Sequence, residues 1–144
     1  MLAIAVPVTI NVQRAQAEAA ENAAAEKAVA KAEAKAEQEE KDRRNRFNTA
    51  LAACGMYIGN TTGVEILDDG EAVEFSGVAE TFASDVQTSD LYCFLGKLRA
   101  PQSLEAKIGQ TRALDGRQSE DWDGFTIEWT YHPDDGANVI IEQE

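Results

Sequence analysis

Hydrophobic and polar residues alternate most regularly near the C-terminus. Phe125, Ile127, Trp129 and Tyr131 take every second position, and Thr126, Glu128, Thr130 and His132 fill the others. A period of two is that of a half-buried strand in an antiparallel sheet. Asp123-Gly124 leads into this strand from a shorter one through Trp122. Pro133-Asp134-Asp135-Gly136 leads out of it toward residues 138–142, so the end of the chain predicts a three-stranded meander. The same alternation, over fewer residues, marks Val64-Glu65-Ile66 and Val73-Glu74-Phe75. Asp69-Gly70 lies between them and strongly favours a hairpin, which predicts strands near 63–67 and 72–76.

Between hairpin and meander the pattern takes on a helical period. Ser89 or Asp90 can cap a helix whose apolar face is Leu91, Phe94, Leu95 and Leu98. Pro101 ends that helix or opens the next. Leu104 and Ile108 define a second short helix closed by Gly109, and Asp115-Gly116 predicts a turn. Upstream, Phe47, Leu51 and Cys54 follow i, i+4, i+7, and Gly55 ends the helix they lie on. Strands grouped in blocks predict an α+β domain: a long N-terminal helix, then a small domain with an antiparallel sheet and helices on one face.

Residues 15–46 are built from Ala, Glu, Lys, Arg, Gln, Asn and Asp, with one Val. Most of these lose little side-chain freedom in a helix. Acid-first pairs four apart (Glu37–Lys41, Glu39–Arg43, Glu40–Arg44, Asp42–Arg46) add support. No Leu or Ile repeats at heptad spacing, so the segment predicts a solvated helical stalk rather than a strong coiled coil. Residues 14–46 carry eight basic and eight acidic side chains, so the whole formal charge of -13 falls on residues 47–144. All aromatic residues, all ten glycines and both cysteines lie there too. A composition break this sharp places a domain boundary near Arg46–Phe47, giving segments 1–13, 14–46 and 47–144.

Leu2 to Val12 is apolar apart from Thr9 and Asn11, too short for the ~20 residues that span a bilayer. It lacks the basic start of a signal peptide. Three readings compete: part of a membrane anchor, a signal remnant cleaved after Ala15-Gln16-Ala17, or an apolar tail on a cytosolic protein. The anchor is preferred, because an apolar run leads directly into a charged helix. Leu51-Ala52-Ala53-Cys54 has the look of a lipoprotein cleavage box, but the charged Lys41–Arg46 precedes it where an apolar stretch is required.

The negative charge argues against nucleic acid as a partner. One His and two Cys exclude a His/Cys zinc cluster built from this chain alone. In an exported setting, Cys54 and Cys93 predict a bridge; in a cytosolic one, two buried thiols. Cys54-Gly55, Asp68-Asp69-Gly70, Cys93 with Pro101, the run Thr111–Gln118 and the run Trp129–Asp134 together resemble a group of small uncharacterised actinobacterial proteins. These have an N-terminal membrane segment, a charged linker and one cysteine-paired outer domain. The resemblance covers roughly residues 54–141. It implies export and a disulfide and brings no catalytic residues. The chain departs from the group in its short apolar N-terminus.

Acidic residues gather at turns: Asp68-Asp69, Asp121 with Asp123, and Asp134-Asp135. Such carboxylates can bind calcium, but Asp is also a good turn former, which is the preferred reading, and no EF-hand loop is present. No cofactor or metal is expected. His132 could act as a base beside Glu128 or Asp134, yet no nucleophile motif accompanies it. Trp129 and Tyr131 are expected in the core. Trp122 breaks their row and is the better surface aromatic. Arg112 and Arg117 are expected to pair with internal acids. The expected partner-binding surface is Trp122, Glu128, His132, Asp134 and Asp135. The resulting expectation is a non-catalytic binding module outside the cytoplasm, held on a helical stalk by a single-pass anchor. Its partner would be a protein or another cell-envelope component. The alternative is a small secreted hydrolase using surface carboxylates with His132.

Overall fold

The computed structural model describes residues 7–79 and 86–144, with side chains described from Val12 onward. The expected anchor, Leu2 to Val12, lies almost wholly outside the described side chains. No helix among the described residues is long and apolar enough to cross a membrane. The chain divides into two units, Met1–Lys41 and Asp42–Glu144.

Helix α1 runs over Pro7–Ala53. In the first unit its described side chains are all exposed, as the charge-rich sequence predicts. Glu37 and Lys41 pair at 2.8 Å, and Lys35 and Glu39 at 3.4 Å. Exposed pairs of this kind each contribute about 0.3 kcal/mol. The second unit begins at Asp42 rather than at Phe47, because the charged residues before Phe47 already belong to its packing. Arg43 forms an ion pair with Glu71 at 3.0 Å, and the Arg46 guanidinium lies 5.4 Å from the centre of the Phe125 ring.

Five strands follow: β1 (Val64–Leu67), β2 (Ala72–Val78), β3 (Gln118–Trp122), β4 (Phe125–His132) and β5 (Gly136–Gln143). Helices α2 (Thr88–Lys97) and α3 (Gln102–Gln110) lie between β2 and β3 in sequence. The fold is α+β, with one antiparallel sheet of order β1-β2-β5-β4-β3. The hairpin and the meander both form, and the β2–β5 pairing joins them into one sheet.

Alternation along the strands gives the sheet two unlike faces. Val73, Phe75, Ile127, Trp129, Val139 and Ile141 are buried. They share one core with Phe47 and Leu51 of α1, Leu91, Phe94 and Leu95 of α2, and Leu104 and Ile108 of α3. Phe94 is central to it, with ring centroids 5.9 Å from Phe47 and 5.0 Å from Phe75. Cys54 and Cys93 form a disulfide, with Cα atoms 6.0 Å apart, that ties the region just beyond α1 to α2. The two cysteines are therefore paired rather than free thiols.

Two details depart from the simple pattern. The β1–β2 connection is a 3-10 turn over Asp68–Gly70, with Asp68, Asp69 and Gly70 all at positive φ. Gly70 packs so closely on the Arg44 backbone that no Cβ fits there. Strand β2 also continues past Phe75 through an irregularity in its pairing with β5. Gly77 sits within it at φ 70° and donates its N–H to the Asn138 side chain at 3.1 Å. A glycine inside a strand pattern is the sequence signature of such a bulge.

Candidate functional site

An open groove of about 1470 Å³ lies at the end of the sheet where β2 bulges and β4 turns into β5. Val78, Leu91, Ile108 and Ala137 supply apolar lining, each nearly or fully buried. This lining comes from a strand end, the start of α2, the end of α3 and the start of β5. The core pattern that builds the domain therefore also builds the groove.

One wall is the turn after α3. The Arg112 N–H donates to Asp115 Oδ2 at 2.7 Å, and the Asp115 N–H donates to the Arg112 carbonyl at 3.0 Å. Gln118 Nε2 donates to the Asp115 carbonyl at 2.7 Å. Thr111 ties the turn's start to the fold: its hydroxyl donates to the Lys107 carbonyl at 2.7 Å and accepts from Trp129 Nε1 at 2.8 Å. On this braced turn, between the groove-lining Ala113 and Asp115, Leu114 is 99% exposed. The opposite wall is the β4–β5 turn, which presents Asp134 and Asp135. Tyr131, 40% exposed, lines the groove as well. The expectation of a buried Tyr131 fails because this end of β4 borders the open groove.

Of the five residues expected to form one surface, His132, Asp134 and Asp135 come together, and Trp122 does not join them. Trp122 is only 9% exposed; its ring stacks on Phe125 at 5.2 Å and its Nε1 donates to the Leu98 carbonyl at 3.2 Å. It breaks the sequence row because it ends the preceding strand, where it pairs with Phe125 and turns to the same core, not because it faces water. Glu128 lies on the open face of the sheet and pairs with Arg117 at 2.6 Å. His132 shares the parity of Glu128 on β4. Its Nδ1 accepts the Asp134 N–H at 3.3 Å and lies 3.2 Å from Asp135 Oδ2. Only Asp134 and Asp135 line the groove. Arg117 makes the expected internal pair, whereas Arg112, also on the groove, has no ion-pair partner among the described residues. Leu114 was open to discovery, since it fits neither the strand nor the helix period of its neighbours.

Among the described residues, no group of three or more His, Cys, Asp or Glu side chains could hold a metal ion. No family model matches the chain, and no curated protein or solved structure matches it.

Proposed function

We propose that the folded unit is a non-catalytic binding module that works outside the cytoplasm, and that the groove is its binding face. The observation that carries this reading is the fully exposed Leu114, held on a hydrogen-bonded turn that walls an open groove also lined by the half-exposed Tyr131. Leu114 and Tyr131 are two large apolar side chains left in water on ordered supports, and a partner that covers them removes that apolar surface from water. The disulfide supports the location, since such bridges persist in oxidising compartments. The Ala/Glu/Lys-rich helix would carry the module, and a membrane anchor at residues 1–13 belongs to the same proposal.

The test is photocrosslinking in intact cells, with benzoylphenylalanine in place of Leu114, Tyr131 or Lys97. A discrete adduct from the first two positions and none from Lys97, which lies off the groove, is the expected result. Equal labelling from all three, or none, refutes the binding face. Thiol labelling of the same cells before lysis should find both cysteines blocked until a reductant is added.

The hydrolase alternative has one observation in its favour, the closeness of His132 to Asp135. Hydrolysis of any ester or amide in a substrate panel that disappears in His132→Ala would establish it.

A further inference from the structure

We infer that the groove is filled by a second copy of this chain, in a two-fold dimer that sets the Arg112–Asp115 turn of each copy against the Asp134-Asp135 turn of the other. This rests on the binding-module reading and names the partner. Leu114 supports it first. At 99% exposed it touches almost nothing of its own molecule, and the hydrogen bonds across its turn hold it there. It is therefore placed to leave one molecule and enter the groove of another. Tyr131, 40% exposed and part of the groove lining, is the apolar side chain it would meet.

The charges of the two walls support the dimer independently. Arg112 lines one wall, and Asp134 and Asp135 line the other. Arg112 and Asp134 are exposed and have no ion-pair partner among the described residues, whereas Asp135 already lies 3.2 Å from His132 Nδ1. An isologous contact requires a patch complementary to itself. This patch has a cation and a leucine on one side, carboxylates and a tyrosine on the other. A two-fold axis through the groove lays each wall on the opposite wall of the second copy, so Arg112 of each copy faces Asp134 of the other. The folded unit Asp42–Glu144 holds eight basic and nineteen acidic side chains, a net -11, so two copies repel at a distance. At about 0.15 M salt, charges more than about 8 Å apart are largely screened, which leaves the facing pairs to decide the contact.

The test is sedimentation velocity on the oxidised full chain, at about 5–200 μM protein and about 0.15 M NaCl. A reversible monomer–dimer equilibrium is expected. Leu114→Ser, at a fully exposed position, should weaken it about ten-fold or more, because the symmetry uses that side chain twice. Arg112→Asp and Asp134→Arg should each be monomeric alone. Mixed in equal amounts they should form a heterodimer, since both facing pairs then carry opposite charges again. Native mass spectrometry identifies that species by its mass, and circular dichroism checks that each variant folds. A wild-type chain that stays monomeric overturns the inference. So does a dimer indifferent to Leu114→Ser, which places the contact elsewhere, or folded charge variants that fail to associate when mixed. The crosslinking experiment decides the broader reading separately: a discrete adduct with a different protein keeps that reading and removes the dimer, and no discrete adduct removes both.

Discussion

Gln143 shows how one side chain can join distant parts of the chain. It is 7% exposed, and its Nε2 donates to the Arg43 carbonyl at 2.9 Å and to the Gly70 carbonyl at 2.6 Å. A helix of the N-terminal half, the first hairpin and the final strand thus meet on one amide. Its Oε1 is buried without a hydrogen-bond partner in the described structure. Gln143→Glu would place a carboxylate against two carbonyl oxygens and remove both donors. We expect a loss of about 2–4 kcal/mol in urea denaturation at pH 7. Burial raises the acid's pKa in the folded state, so protonation favours folding of the variant. The deficit relative to wild type should therefore shrink as pH falls toward about 4 and grow as pH rises through the folded pKa. A deficit independent of pH would show that the cost is steric.

At the scale of elements, the open face of the sheet carries a conflict. Glu65 of β1 stands directly opposite Glu74 of β2. Like charges so placed are destabilising, by about 0.2–1 kcal/mol. Glu65→Lys should raise the urea midpoint by a corresponding amount, and 1 M NaCl should reduce the gain. Strand identity was legible here because one face is apolar and the other is not. The positions of β4, β1 and most of β2 follow from alternation alone, and α2 and α3 from Leu91, Phe94, Leu95, Leu104 and Ile108. What alternation does not encode is which strand lies beside which. The β2–β5 register, with Val73 opposite Ile141 and Phe75 opposite Val139, depends on a pairing between residues far apart in sequence. The groove stayed hidden for the same reason. Its lining comes from five separate segments, and only the acidic turn at Asp134-Asp135 could be singled out in advance. Trp122 misled because the Asp123-Gly124 turn between β3 and β4 resets the phase of the pattern.

For the molecule as a whole, the disulfide is the largest single contribution that can be isolated. It closes a segment with a sequence separation of 39. In the chain-entropy model this contributes about 4 kcal/mol, most of it by restricting the unfolded chain. The Cys54→Ala/Cys93→Ala double variant should lose about 2–4 kcal/mol in urea denaturation, and reduction of the wild type should produce the same shift. If reduction leaves the midpoint unchanged, the core alone holds the fold. Because the hydrophobic core includes residues of α1, α2, α3 and all five strands, the unit should still unfold in one transition without the bridge.

The place of β5 in the sheet has a consequence for how the protein is made. It hydrogen-bonds to both β2 and β4, yet every strand it pairs with precedes it in the chain. A nascent polypeptide leaving the ribosome therefore holds a hairpin on one side and half a meander on the other, with nothing to zip them together. The five-stranded sheet can therefore close only once residues 136–143 have been made.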